Sequence, residues 1–443
     1  MVKVVKFGGS SLADADHFRQ VASIIKADAS RKYVVPSAPG KRFSSDTKVT
    51  DMLYDCYNKA RYHEDITEIF NAISERYNSI IKDLSLDFDI SGELEYVKNA
   101  ILHRSGSDYA ASRGEYLNGL ILAKYLGFAF VDAESVIFFH DDGSFNDEYT
   151  NDILSAELKK YEYAIIPGFY GIMPNGTIKT FSRGGSDITG SLVARAVEAD
   201  LYENWTDVSG FKMADPRIIH KPKTIKEITY RELRELSFMG ASVLHDEAIF
   251  PVRGAGIPIN IRNTNAPEKD GTMIVSTAQT PINENIITGI AGKKGFSVVT
   301  IERDKMNSIV GFGRRVLEVF EEYNVPVEHL PNGIDTMSVV IQTSLIEQVR
   351  EKILNAINRT VRPDSVIIED GLALIAVVGR GMIKAKGTAA RVFNAVSKAE
   401  VNIRMIDQGS SELNIIIGVD ENDFEKTLSA IYNEFVSENK DII

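Results

Sequence analysis

Five residues in the last third of the chain recur at one constant offset. Met306, Gly311, Arg315, Val316 and Val325 match Met382, Gly387, Arg391, Val392 and Val401, each pair 76 positions apart. Shared identities at a single spacing mark a duplicated structural unit, and this constrains the fold more than any other feature of the chain. Each copy reads as strand, helix, strand, strand, helix. β-Branched runs over 298–301 and 374–378 open the copies, and runs over 338–341 and 414–419 lie near their ends.

A βαββα unit of this size is a small ferredoxin-like module, too small for a large active site but suited to pairing with a copy of itself. Duplicated packing and a regulatory ligand-binding role are both open to it. Upstream the pattern differs, because short β-branched runs alternate with helix-period segments. Strands are expected over 2–7, 33–35, 128–131, 136–139, 164–166 and 201–205. Phe18, Val21, Ala22 and Ile25 share one helix face, and Ile66, Phe70, Ile73, Tyr77 and Ile80 form another stripe. Asn175-Gly176 reads as a hairpin turn between 170–173 and 177–181. Helices are expected over 188–199 and 230–252. This α/β alternation predicts a mostly parallel sheet between helical layers. A polar stretch over 263–285 reads as a boundary. The expected domains are 1–284 and 285–443, the latter holding modules near 302–370 and 371–443, with the strand near 286–300 a candidate member of the second.

The 443 residues suffice for two or three domains. Lys and Arg number 50 against 62 Asp and Glu, a net charge of −12 that argues against nucleic acid or an anionic membrane as the main partner. Any anion site must therefore be built locally. Cys56 is the single cysteine, which excludes a disulfide framework or thiolate metal cluster. The opening MVKVVKFGGSS lacks an apolar stretch long enough for a signal peptide, and the run over 372–378 is only strand length. A soluble, cytoplasmic protein is expected.

Two glycine turns, each with a cation and each opening a helix, carry the chemistry. The first is Lys6-Phe7-Gly8-Gly9-Ser10-Ser11 and the second is Ser182-Arg183-Gly184-Gly185-Ser186-Asp187. Glycines let backbone N–H groups approach an anion, and the following helix N-terminus adds positive potential. Neither turn is a GxxxxGK[ST] or GxGxxG motif. Asp187 can orient Lys6 or simply cap its helix, and Arg183 is suited to grip a carboxylate through two parallel N–H bonds. Trp205-Thr206-Asp207-Val208-Ser209-Gly210-Phe211, followed by Ala214-Asp215-Pro216-Arg217, reads as a nucleotide cradle or an ordinary strand exit. In Ser112-Arg113-Gly114-Glu115, helical spacing puts Ser112, Glu115 and Gly119 on one narrow face. That face is either solvated or holds a carboxylate for a substrate ammonium.

Taken together, KFGGSS, SRGE, SRGGSD, WTDVSGF, ADPRI, ELSFMGASVLHDEAIFP and the doubled C-terminal unit resemble the aspartate kinases of the amino-acid kinase family, with a pair of ACT modules. The motifs run in family order across nearly the whole chain. The length leaves no room for the homoserine dehydrogenase fused to some members, so the likeness is to monofunctional ones. The resemblance implies phosphoryl transfer from MgATP to the β-carboxylate of L-aspartate, giving 4-phospho-L-aspartate, in lysine, threonine and methionine biosynthesis. Such a nucleophile is already ionised (reference pKa about 3.9) and needs no general base. None of the 7 histidines falls in the glycine or Thr-Asp loops, and His245 is expected to be structural. The difficulty is an anion attacking an anion, met by positioning and positive charge.

By motif position, the resemblance implies that Lys6 and the N–H groups of Gly8, Gly9 and Ser10 neutralise the β- and γ-phosphates, with Ser37 nearby. Thr206, Asp207 and Arg217 line the nucleotide site. Glu115 binds the aspartate ammonium and Arg183 its α-carboxylate. Gly184, Gly185, Ser186 and Asp187 organise the reacting ends, and Thr50 contacts substrate. No protein metal site is implied; Mg2+ is the nucleotide's. Two departures stand out: Ser242 replaces a common family lysine, and Lys212 stands where the family often has tyrosine. Lys212 or Lys41 is the candidate for the missing charge. The ACT pair implies homo-oligomerisation and feedback by lysine, with threonine the alternative, through Met306, Ser308, Glu328 and Asp335. A catalytically silent amino-acid sensor and a kinase for another small carboxylate are the competing readings.

Overall fold

The computed structural model describes residues 1–182, 184–241, 250–276 and 286–436. Two compact units emerge: Met1–Phe211 with Thr224–Tyr230 and Val243–Ala278, and Lys212–Lys223 with Arg231–Ser242 and Gln279–Ile443. The second unit thus draws in two segments that precede residue 285.

In the first unit the strands are β1 (Lys3–Phe7), β2 (Arg31–Pro36), β3 (Ala129–Phe130), β4 (Ala164–Ile165), β5 (Tyr170–Ile172), β6 (Ile178–Thr180), β7 (Leu201–Thr206), β8 (Glu227–Thr229), β9 (Ile259–Asn263) and β10 (Thr272–Val275). The helices are α1 (Ala15–Lys26), α2 (Val49–Arg61), α3 (Thr67–Asp83), α4 (Ser91–Leu102), α5 (Ser107–Leu126), α6 (Asp147–Leu158) and α7 (Gly185–Ala196). Eight strands form one sheet in the order β3-β4-β2-β1-β7-β9-β10-β8. Its pairings are parallel except that of β9 with β10. Val4, Val5 and Phe7 of β1 are all fully buried, as befits a central strand covered on both faces. Phe18, Val21, Ala22 and Ile25 of α1 and Phe70, Ile73, Tyr77 and Ile80 of α3 are buried at their 3.6-residue spacing.

One expectation is corrected. Residues 136–139 form no regular strand. Phe138 and Phe139 make isolated bridges to Ile172 and Phe145, with Phe139 N–H bonding to the Ile172 carbonyl, while Val136 N–H goes to the Ala133 carbonyl and Phe138 N–H donates to Thr150 Oγ1 at 3.0 Å. The helices expected over 230–252 are α8 (Tyr230–Phe238), which gives way to Gly240 at φ 101°, and α9 (Phe250–Ala255). Gly240 N–H bonds to Ser237 and Ala241 N–H to Leu236, a helix stop that needs the left-handed glycine. The polar stretch over 263–285 carries β10, whose Thr272 and Ile274 are fully buried.

The second unit holds β11 (Gly289–Glu302), α10 (Phe312–Glu322), β12 (Thr336–Gln342), α11 (Thr343–Ile346), α12 (Arg350–Val361), β13 (Ser365–Val378), α13 (Thr388–Lys398), β14 (Met405–Asp407), β15 (Asn414–Asp420) and α14 (Phe424–Val436). Its antiparallel sheet runs β12-β11-β13-β15-β14. The long β11 is shared between the modules. Residues 289–293 pair with 374–378 of β13, while 296–302 pair with β12, and the register slips at the Lys293–Phe296 junction. The 76-residue repeat has a physical basis here. Gly311 and Gly387 precede α10 and α13 at φ 76° and 86°. Met306 and Met382 are buried in short turns, and Val316 and Val392 are fully buried.

Candidate active site

Strand β1 delivers Lys6 and then turns at Gly8, whose N–H bonds to the Trp205 carbonyl of β7 at 3.1 Å. Lys6 Nζ lies 2.6 Å from Asp187 Oδ1, the two side chains only 9% and 13% exposed. Asp187 stands in the first turn of α7, and Asn204 Nδ2 of β7 donates to the same carboxylate oxygen at 2.9 Å. Lys6 is therefore oriented by a carboxylate that is itself held from two strands and a helix. Gly184 opens α7 at φ 78°. A Cβ on Gly185 would lie 2.6 Å from the Phe169 ring, and one on Gly168 would lie 2.7 Å from the Ser186 side chain. Gly185 is thus demanded by packing and Gly184 by its left-handed backbone. Arg183, Ser242 and His245 lie outside the described residues.

Beside this pair lies a cleft of about 620 Å³ lined by Gly9, Ser10, Ser37, Thr50, Glu115 and Asp207, with Ala38, Pro39, Gly40, Lys41, Phe43, Ser44 and Lys48 completing its wall. The Gly8-Gly9 turn meets the loop after β2 backbone to backbone, since Gly40 N–H bonds to the Gly9 carbonyl at 2.8 Å. A Cβ on Gly9 would stand 2.7 Å from the Ala38 carbonyl oxygen. Helix α5 approaches as closely: a Cβ on Gly114 would stand 2.7 Å from that of Ala38. Ser112, Glu115 and Gly119 are accordingly buried, so their narrow face is an interior one rather than a solvated one.

Burial pushes the Glu115 carboxyl up to about 8, against the opposing pull of the Ala38 N–H and the charges of Arg113 and Lys6. Its Oε2 is buried without a hydrogen-bond partner. A carboxyl in this condition, facing a cleft, is poised to receive a cation.

Sequence reasoning missed three contributors. Asn118, one turn beyond Glu115, donates to the Ser37 carbonyl at 2.7 Å and holds that loop. Asn204 steadies Asp187, and Thr264 Oγ1 lies 2.7 Å from Ser11 Oγ. The helical spacing from Glu115 could have pointed to Asn118; the other two depend on strand pairing. Thr206 Oγ1 accepts from Val208 N–H at 3.2 Å, closing its own turn, while Asp207 reaches the cleft. Lys212 and Arg217 belong to the second unit, and Arg217 is engaged by Asp215 at 2.6 Å. Neither lines the cleft.

In the second unit, Met306, Ser308 and Asp335 gather where Asp335 Oδ1 accepts from Lys305 N–H at 2.8 Å and Ser308 Oγ donates to the Lys305 carbonyl. Glu328 stands apart from them. It accepts from Gln342 Nε2 at 2.8 Å, at the far end of β12. Six residues of strand, roughly 20 Å, separate Gln342 from the Asp335 end.

The amino acid kinase family model matches residues 1–263, and an ACT domain model matches residues 375–435. Aspartokinase 3 of Bacillus subtilis (strain 168) is 40% identical over 453 residues, spanning 98% of each chain. The chain belongs to the aspartokinase family. The aspartate kinase of Clostridium acetobutylicum, described as an allosteric enzyme, superposes with a TM-score of 0.92 at 53% identity over 98% of this chain and 100% of its own. E. coli aspartokinase III, 25% identical over 98% of this chain and 99% of its own, has been solved with aspartate and ADP (R-state) and with lysine and aspartate (T-state), at TM-scores of 0.73 and 0.72. An aspartokinase is a phosphotransferase, and the first glycine turn of this one borders the cleft through Gly9 and Ser10.

Proposed function

We propose that the cleft of the first unit transfers the γ-phosphoryl group of ATP to the β-carboxylate of L-aspartate. The observation that carries this reading is Glu115, a buried carboxyl whose Oε2 has no hydrogen-bond partner, facing the same cleft as the Gly9-Ser10 turn. It is the complement of an amino acid's ammonium group. On this reading Lys6, oriented by Asp187, meets the phosphates together with the N–H groups of Gly8, Gly9 and Ser10. Ser37 and Asp207 border the nucleotide, Thr50 contacts aspartate, and Arg183 takes its α-carboxylate with Gly184, Gly185 and Ser186 around the reacting ends. Thr206, Lys212 and Arg217 remain nucleotide-site candidates. The attacking carboxylate needs no base, so charge and alignment provide the rate enhancement.

Among the described residues no group of three or more His, Cys, Asp or Glu could hold a metal. The proposed ion is the nucleotide's Mg2+, which binds phosphate oxygens and water with one or two carboxylates. Asp207 is the candidate carboxylate, and the ion supplies charge neutralisation on the phosphates.

Residues 1–284 are proposed as catalytic and 285–443 as regulatory, with modules near 302–370 and 371–443. Lysine is the proposed feedback effector and threonine the alternative, at Met306, Ser308, Asp335 and Glu328. Glu328 N–H bonds to the Val340 carbonyl, four residues of strand or roughly 13 Å from the Thr336 end near Asp335, and a second copy of the chain is proposed to complete the effector site. This favours a homo-oligomer formed through the ACT modules. No helix among the described residues is long and apolar enough to cross a membrane, in keeping with the proposed cytoplasmic setting. ADP release with aspartate and MgATP, measured with and without lysine or threonine, tests the reading. Absence of aspartate-dependent turnover would refute it, and turnover with glutamate derivatives alone would favour another carboxylate kinase.

A further inference from the structure

The cations of the cleft wall are not all accounted for by this scheme. Lys6 is already balanced by Asp187 at 2.6 Å. Lys41 and Lys48 also line the cleft, both are exposed, and neither forms an ion pair among the described residues. They sit at the two ends of one loop, and that loop is held deliberately. Arg76 of α3, only 3% exposed, donates to the Gly40 carbonyl at 3.0 Å and to Asp46 Oδ2 at 2.7 Å. Asp46 also accepts from the backbone N–H and Nε of Arg42, each at 2.9 Å. The loop is therefore pinned from α3 near both lysines.

The two lysines meet different parts of the site. Lys41 follows Gly40, whose backbone touches Gly9 so closely that a Cβ would come within 2.6 Å of the Gly9 carbonyl carbon. It belongs to the phosphate end. Lys48 is the N-cap residue of α2, makes no capping bond, and stands two residues before Thr50 on the wall shared with Glu115. It belongs to the aspartate end. An N-cap normally carries Ser, Thr, Asp or Asn, and a helix N-terminus disfavours a cation. A residue chosen against local stability on the wall of a cleft has a reason outside the helix. The buried, unpartnered Oε2 of Glu115 in the same cleft independently marks it as built for a charged ligand.

We infer that Lys41 contacts the transferred phosphoryl group and Lys48 a carboxylate of aspartate, with Asp46 and Arg76 as positioning residues that aim the pair. This rests on the aspartate kinase reading above and supplies positive charge that reading leaves to Lys6 and Arg183. Initial rates with aspartate and MgATP test it in the full chain. Lys41→Gln should lower kcat/KM for MgATP about 10- to 100-fold, and Lys48→Gln should raise the aspartate KM about 10-fold. Lys41→Arg and Lys48→Arg should restore most of the loss, because they keep the charge. Asp46→Asn should lower kcat/KM in the wild type yet add little in the Lys41→Gln, Lys48→Gln background. An equal loss in both backgrounds would reduce Asp46 to a structural role and overturn its assignment. A doubly substituted enzyme within twofold of wild type would overturn the inference alone. A wild type inactive on aspartate would overturn both this and the function it rests on.

Discussion

Replacing Glu115 by glutamine separates the energetic penalty of burying this carboxyl from its use. In the unfolded chain the side chain titrates near 4.5, and in the folded protein near 8. Below 4.5 both states carry the proton and the difference does not depend on pH. Between the two values the unfolded chain has released a proton that the folded chain still holds, so folding weakens as pH rises. At about 1.4 kcal/mol per pH unit the loss approaches about 5 kcal/mol by pH 8. Glutamine is neutral throughout and escapes it. The stability advantage of Glu115→Gln over wild type should therefore grow between pH 5 and pH 8 and flatten above. The single tryptophan, Trp205, is buried in the first unit, so its fluorescence during urea unfolding of the ligand-free protein reports the relevant transition. The same substitution should raise the aspartate KM about 30-fold or more, from the roughly 2 kcal/mol lower limit for losing one partner of a buried charge pair. A stability difference that stays constant from pH 5 to pH 8 would refute the reasoning, because the carboxyl would then be ionised in the folded protein already.

Aspartate should also bind with release of a proton below pH 8, as its ammonium draws Glu115 into the charged form; calorimetry in buffers of unequal ionisation enthalpy reads this directly. Lys6→Met should lower kcat/KM by about 100-fold or more, with Asp187 still held by Asn204, and circular dichroism should show the fold retained. Gly9→Ala should abolish turnover, since its Cβ would sit 2.7 Å from the Ala38 carbonyl oxygen, a backbone atom that cannot step aside. Gly387→Ala has open space around it but a φ of 86°, so it should destabilise the second unit by about 1–2 kcal/mol. Gly92→Ala, in α4 with nothing nearby, should instead stabilise by about 0.5–1 kcal/mol in a thermal melt.

The parts of this molecule that could be read from sequence are those written at short range. The stripes of α1 and α3, the central β1 and the two glycine turns each announce themselves within a dozen residues, through period, through close backbone approach at Gly9 or through the left-handed conformation of Gly184. The 76-residue repeat belongs with them, because Gly311 and Gly387 perform the same left-handed turn before equivalent helices. What stayed hidden depends on partners far along the chain. Strand β10 sits in polar surroundings, and only its pairing with β8 and β9 makes Thr272 and Ile274 interior. The run over 136–139 has a strand's composition but makes isolated bridges to Ile172 and Phe145 rather than a continuous ladder. The burial of Glu115 depends on Gly114 meeting Ala38, 76 residues earlier by coincidence and unrelated to the repeat. The loop bearing Lys41 and Lys48 reads locally as a solvated, charged turn; it becomes part of a site only because Arg76, 30 residues beyond Asp46, reaches back to hold it. A polar side chain declares a function when something distant has gone to the expense of ordering it, and that expense is visible only once the chain is folded.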